Sequence, residues 1–219
     1  MRNQKFKAKG ILFDLDGTIV DSKQAYVAAL KAAFLSVGQK IVDIEIATEI
    51  PKRLEQNLPI NDMLQGIDVQ KFLNVYLTTW YQATATKTEP ISGVSETLEK
   101  LSKKAKLALI TRRNVPKQDV IHEMRKLDLA KYFQHVITGR DKCNPKPSPE
   151  ALIRCAEKLD VKVSECIFVG DSVADVRAGK NAGAKTVAVL SGIFSRKELE
   201  KEKPDLILEN VNQLPDFLE

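Results

Sequence analysis

Asp14 and Asp16 stand two residues apart, directly after the apolar run Ile11-Leu12-Phe13 and before Gly17-Thr18. The run reads as a buried strand, and its end is a poor place for packing carboxylates. A buried carboxylate without a partner costs several kcal/mol or more. Something cationic, or a reaction, should therefore occupy that place. Alternation along an extended chain sets Asp14 and Asp16 on one side of it. The pair suits a metal ion, or a nucleophile beside a general acid. Gly17 lets the backbone turn sharply and lets a ligand come close.

A second acidic group follows another apolar run: Ile167-Phe168-Val169-Gly170-Asp171-Ser172-Val173-Ala174-Asp175. If the two strands are neighbours, Asp14, Asp16 and Asp171 converge. Three oxygen donors fit a hard cation such as Mg²⁺, which takes oxygen ligands and keeps waters. Asp175 has two readings that stay open side by side. It can support the acidic site, or it can close a capping box with Ser172, reaching back to an exposed helix N–H. Two further candidates lie between these clusters. Leu107-Ala108-Leu109-Ile110 ends in Thr111-Arg112, where a hydroxyl and backbone N–H groups at a strand's end can hold phosphate oxygens. Lys146 lies in Asn144-Pro145-Lys146-Pro147-Ser148-Pro149, a segment stiffened by proline on both sides. A fixed ammonium there would neutralise an acidic cluster and hold an anion.

The elements that must position these groups follow from periodicity. Strands are predicted at 10–14, 106–111, 135–138, 165–169, 185–190 and 205–208, with helices at 95–104, 116–127, 149–159 and 173–182 between the later ones. Pro116 and Pro149 suit first turns, and Gly183 suits a helix end. Strand alternating with helix implies an α/β protein with a mostly parallel, doubly wound sheet. Residues 22–90 break that rhythm, with no convincing strand. Val27, Leu30, Phe34 and Val37 mark one helix there. Val69, Phe72, Leu73, Tyr76 and Trp80 mark another, and Pro51 and Pro59 separate shorter helical pieces. The stretch reads as a helical insertion after the first strand. Such an insertion would sit above the carboxyl ends of the strands, where open α/β sheets bind ligands, and would serve as a lid.

Composition narrows the classes. The chain has 219 residues, 43% apolar and 29% charged, with a net charge of +5. That length holds one substantial core, or a core with a small second domain. Lys and Arg are scattered, with no basic run interleaved with aromatics, so nucleic acid is not an expected partner. No apolar stretch approaches the ~20 residues of a membrane span. The three cysteines form no Cys-x-x-Cys pair, which argues against a disulfide framework and a zinc site. A cytoplasmic protein is expected. His122, His135, Cys166, Tyr76 and Trp80 read as structural.

Taken together, Asp14-Leu15-Asp16-Gly17-Thr18, Thr111, Lys146 and Gly170-Asp171-x-x-x-Asp175 resemble the haloacid dehalogenase-like hydrolase superfamily. The segments Asp14 to Ser22 and Lys146-Pro147-Ser148-Pro149 look most like its phosphoglycolate phosphatase and β-phosphoglucomutase branch. The resemblance implies a Rossmann-like catalytic core from residues 1–21 and 91–219, with a helical cap from 22–90. It implies a Mg²⁺-dependent phosphatase for a small phosphomonoester, with phosphoglycolate foremost. Asp14 would be the nucleophile and form an aspartyl-phosphate. Asp16 would protonate the leaving oxygen and then activate water, from a carboxyl whose pKa is raised by burial and the adjacent carboxylate. The Asp14 carboxylate, the Asp16 carbonyl and the Asp171 carboxylate would hold Mg²⁺, and Thr111 and Lys146 the phosphoryl oxygens. The dehalogenases of the superfamily lack an acid where Asp16 stands. A sugar-phosphate phosphomutase, and a non-catalytic phosphometabolite-binding protein on the same fold, are the alternatives. Two departures from the branch stand out. Arg112-Arg113 follow Thr111 where relatives often carry a small or amide residue, so Arg112 is a candidate phosphate contact. In the cap, Glu49-Ile50-Pro51-Lys52-Arg53 replaces a glycine-containing substrate loop, and Arg53 is a candidate for meeting an anionic substrate.

Overall fold

The first strand, β1 (Gly10–Phe13), is buried along its whole length, as a central strand of a parallel sheet must be. It belongs to a computed structural model that describes residues 5–40 and 44–219. The chain divides into two compact units, Met1–Val20 with Pro90–Glu219, and Asp21–Glu89.

In chain order the elements begin with β1, β2 (Val20–Asp21), α1 (Lys23–Ser36), α2 (Ile44–Glu55) and α3 (Val69–Lys87). There follow β3 (Glu89–Pro90), α4 (Val94–Ser102), β4 (Lys106–Ile110), α5 (Lys117–Lys126) and β5 (Phe133–Ile137). The last are α6 (Glu150–Lys158), β6 (Cys166–Gly170), α7 (Val173–Ala182), β7 (Lys185–Val189), α8 (Arg196–Lys201) and β8 (Leu206–Leu208). Six strands form one sheet in the order β5-β4-β1-β6-β7-β8. The pairs β1 with β4, β1 with β6, β4 with β5, β6 with β7 and β7 with β8 are all parallel. The strand order reverses at β1, so helices cover both faces.

Alternation along each strand divides the core. Ile11 and Phe13, Leu107 and Leu109, and Ile167 and Val169 point to one face. There they pack with Leu98 and Leu101 of α4 and Val120 and Met124 of α5. Leu12, Ala108, Ile110 and Phe168 point to the other, against Leu152, Cys155 and Ala156 of α6 and Ala178 of α7. Each fully buried side chain of this size contributes about 1.5–3 kcal/mol. That is enough to fix register, because a slip of one residue would turn every such side chain to the wrong face.

The Asp21–Glu89 unit has its own core. Phe34 meets Phe72 edge to face with centroids 4.9 Å apart, and Tyr26 lies against Trp80 at 4.1 Å. Three sequence expectations need correction here. Val27 is 49% exposed, and the buried face of α1 is carried by Ala25, Ala29, Leu30, Ala33 and Phe34. The alanines recur every four residues and present a flat stripe to the aromatic side chains of α3, so shape complementarity outweighs the larger valine. Pro51 does not separate two helical pieces but lies inside α2. Its neighbour Ile50 is fully buried in this core, so packing of that face overrides proline's local preference. The third concerns strands: β2 and β3 form a two-stranded sheet where the chain enters and leaves this unit. Two-residue strands are too short to show period two.

Candidate active site

Parallel pairing in register brings the carboxyl ends of β1, β4 and β6 to one edge. Phe13 is level with Leu109 on one side and Val169 on the other. The residues that follow are Asp14, Thr111 and Asp171, and the Asp14 N–H still donates to the Val169 carbonyl at 2.9 Å. Thr111 N–H donates to Ile137 O, also at 2.9 Å. Sequence-distant groups thus meet because central strands of a parallel sheet end together.

Lys146 reaches this edge from the loop before α6. It is 3% exposed, and its Nζ donates to Asp14 Oδ1 at 2.5 Å and to Asp175 Oδ1 at 2.6 Å. A turn closed by Ser148 N–H to Pro145 O at 3.0 Å, and Asn181 Nδ2 donating to Pro147 O at 2.9 Å, hold the loop. Asp175 closes the capping box and also touches Lys146. Its Oδ2 accepts from Ser172 N–H at 3.0 Å and from the Ser172 hydroxyl at 2.7 Å, while Ser172 Oγ accepts from Asp175 N–H at 3.1 Å. That capping box starts α7 and leaves Oδ1 to Lys146. Gly170 makes the arrangement possible, since a Cβ there would lie 2.4 Å from the Asp175 side chain.

Asp171 is walled by glycine backbone. A Cβ on Gly192 would lie 1.7 Å from Asp171 Oδ2, and one on Gly17 2.6 Å from it. Gly17 also has φ +79°, a left-handed conformation that glycine adopts without strain. Carboxylate oxygens of Asp14, Asp171 and Asp175 lie within 4.8 Å of one another, and all three residues are buried. The Asp14 and Asp175 carboxylates thus face the Lys146 ammonium, and the Asp171 carboxylate lies beside them. Burial raises the Asp14 carboxyl well above the usual carboxylate range; the Lys146 charge opposes this, and Asp175 adds to it. Burial by itself would lower the Lys146 ammonium, yet Asp14 and Asp175 hold it above its ordinary value. The cluster gathers buried carboxylate oxygens, which is the donor chemistry a hard divalent cation takes.

The Asp16 side chain behaves differently from the convergence the spacing predicts. The clustered carboxylates are Asp14, Asp171 and Asp175, while Asp16 is clasped by Arg113. Arg113 Nη2 donates to Asp16 Oδ1 at 2.7 Å and Nε to Oδ2 at 2.8 Å. The strand stops at Phe13, and the chain then turns through Gly17 to a bridge between Asp16 and Val20, so period two no longer applies. Asp16 is still close enough for its charge to act on Asp14, and it gains in addition a fork of two hydrogen bonds from Arg113. Arg113 is 4% exposed, and its Nη1 donates to Glu123 Oε2 of α5 at 2.5 Å. Burial would lower this guanidinium, but Asp16 and Glu123 raise it above its ordinary value. Sequence reasoning passed over Arg113 and Glu123 in favour of Arg112. The available signal was the two-residue step from Thr111, which returns Arg113 to the same side of an extended chain.

Thr111 is buried, and its Oγ1 accepts from Arg113 N–H at 3.2 Å, leaving its own proton for another acceptor. Arg112 is half-buried beside it. Arg53 is held within its own unit: Nη1 donates to Asp62 at 2.6 and 2.8 Å and to Pro59 O at 3.2 Å, and Nε to Glu49 at 3.3 Å. That set of partners reads as a clamp between α2 and the following turn. Cys166 is buried, and burial pushes its thiol up to about 11.

Among the described residues, no helix is long and apolar enough to cross a membrane. A family model for haloacid dehalogenase-like hydrolases matches residues 11–189. A phosphoglycolate phosphatase of Pseudomonas fluorescens is 33% identical over 212 residues, covering 93% of this chain and 77% of that protein. One of Escherichia coli is 30% identical over 230 residues, covering 94% and 90%. A solved haloacid dehalogenase-like hydrolase of Streptococcus pneumoniae has the same fold, with a TM-score of 0.78 at 18% identity, over 94% of this chain and 96% of the other.

Proposed function

The chain belongs to the haloacid dehalogenase-like hydrolase family, as a phosphatase, and on that premise we propose that it hydrolyses a small phosphomonoester, phosphoglycolate foremost, through an aspartyl-phosphate with Mg²⁺ bound. The observation that carries this reading is Asp14 at the carboxyl end of the central strand, hydrogen-bonded to buried Lys146 and clustered with Asp171 and Asp175. An acid placed so expensively is suited to a reaction rather than to packing.

In the first half-reaction an Asp14 carboxylate oxygen attacks phosphorus, and the bond from phosphorus to the ester oxygen breaks. Asp16 gives that oxygen a proton, so the alcohol departs neutral. In the second half, Asp16 takes a proton from a water that attacks the same phosphorus. The bond to Asp14 breaks, and inorganic phosphate leaves. Lys146 Nζ already lies against Asp14 and is placed to bind a phosphoryl oxygen delivered there. The Thr111 hydroxyl keeps a free proton to donate to a second. Asp175 holds Lys146 while its other oxygen caps α7, so the ammonium is braced from behind. The Asp14 and Asp171 carboxylates and the Asp16 carbonyl would hold Mg²⁺, which supplies positive charge against the repulsion between carboxylate and phosphate.

Phosphate release from a panel of esters tests this reading, with phosphoglycolate, glucose 1-phosphate and an aryl phosphate included. Release should require Mg²⁺ and stop with excess chelator. Asp14→Asn should lose at least about a thousandfold in kcat with its fold intact. Undiminished activity in that variant would exclude the covalent route. Isomerisation of glucose 1-phosphate outrunning hydrolysis would make the protein a mutase. Binding of esters without turnover would make it a non-catalytic receptor.

A further inference from the structure

Arg113 is buried, charged and outside the acid cluster. Its backbone is fixed at both ends: the N–H donates to Thr111 Oγ1 at 3.2 Å, and the carbonyl accepts from Gly139 N–H at 2.9 Å. Gly139 lets the loops approach, since a Cβ there would lie 2.6 Å from Arg112 O. The side chain then presents two parallel N–H groups to Asp16 and a third to Glu123. A planar fork of this kind fixes both the place and the rotation of a carboxylate, which a point charge cannot do.

We infer that Arg113 is the positioning residue for Asp16, braced on its far side by Glu123, and that this fork sets the orientation from which Asp16 serves the leaving oxygen. The inference rests on the acid–base role given to Asp16 above. Two features favour it over a plain structural ion pair. The first is the second carboxylate. When Asp16 turns toward a bound ester, Arg113 keeps Glu123 and is never a buried cation without a partner. The second is the link through Thr111. The same residue that orients Asp16 donates its backbone N–H to the Thr111 hydroxyl oxygen, so a phosphate contact and the acid are set from one rigid point.

Leaving-group dependence separates positioning from structure. From a dinitrophenyl phosphate the phenolate leaves without protonation, whereas the alkoxide of an alkyl phosphate needs the acid. In kcat/KM, which reports the first half-reaction, Asp16→Asn should lose about a hundredfold or more on the alkyl ester and little on the activated one. Arg113→Gln should show the same selectivity, with an alkyl-ester loss of about tenfold to a hundredfold. Combined with Asp16→Asn it should add nothing further, as residues acting in one unit are non-additive. Arg113→Lys keeps the charge but loses the fork, and should recover only part of the loss. Glu123→Gln, a milder change less prone to unfold the protein, should lose in the same direction. Asp16→Asn without leaving-group selectivity would remove the role of Asp16 itself. Selectivity in Asp16→Asn but equal losses on both esters in the Arg113 and Glu123 variants would overturn this inference alone, as would full additivity in the double variant.

Discussion

Lys146 is the residue on which the acidic site balances. Its ammonium faces Asp14 and Asp175 from a 3% exposed position. Lys146→Ala leaves two carboxylates buried against each other, and breaking a buried pair in this way costs about 3 kcal/mol. Urea denaturation at neutral pH should show that loss, and added Mg²⁺ should restore part of it by supplying the missing charge. The sign with pH follows from the raised pKa. The contribution of Lys146 stands in full below the ordinary lysine value of 10.5 and is lost as pH climbs past it toward the folded-state value. The wild-type stability advantage over Lys146→Ala should therefore shrink above that pH. The type and flanking prolines of Lys146 were legible in the sequence. Its two partners were not, because Asp14 lies 132 residues away and only the fold closes that distance.

At the scale of the element, the start of α7 does two tasks with one side chain. Asp175 closes the capping box through Oδ2 and holds Lys146 through Oδ1. Ser172→Ala removes the cap and should cost about 1 kcal/mol, read as a lowered denaturation midpoint. Because it also removes the hydroxyl hydrogen bond to Asp175 Oδ2, leaving only that from the backbone N–H, activity should fall by more than the stability change accounts for. The sequence offered capping and site support as separate readings, since a Ser-x-x-Asp spacing specifies the cap but not where the second oxygen points. Strand and helix assignments in the sheet unit came through within a residue or two, because their apolar periods are long and flanked by Gly or Pro. The Asp21–Glu89 unit was less legible. There the choice of buried face on α1 depended on the alanine stripe that fits α3, and an apolar count favours valine over alanine.

For the molecule as a whole, the decisive feature is a parallel sheet whose middle strands, β4, β1 and β6, end level with each other. That edge gathers acids from the first and last thirds of the chain into one cluster around Lys146. If the cluster takes Mg²⁺, the ion binds only the folded state and should stabilise it by about 2.7 kcal/mol at a hundred times its Kd, so the melting temperature should rise with its concentration. Asp171→Asn should abolish that shift, read as a melting temperature that no longer rises with Mg²⁺. A shift that persists in Asp171→Asn would place the ion elsewhere. The sequence by itself determined the inventory: Asp14, Asp16, Thr111, Lys146, Asp171 and Asp175, each at a strand end or a stiffened loop, in an α/β alternation. Those follow from residue type and local period. The tertiary structure alone decided the pairings, with Asp175 rather than the Asp16 side chain joining Asp14 and Asp171, and Arg113 clasping Asp16. The reason is physical. Periodicity acts over a few residues along one strand or helix, whereas a carboxylate's partner is set by which strands lie side by side and by how each turn beyond them rotates its side chains.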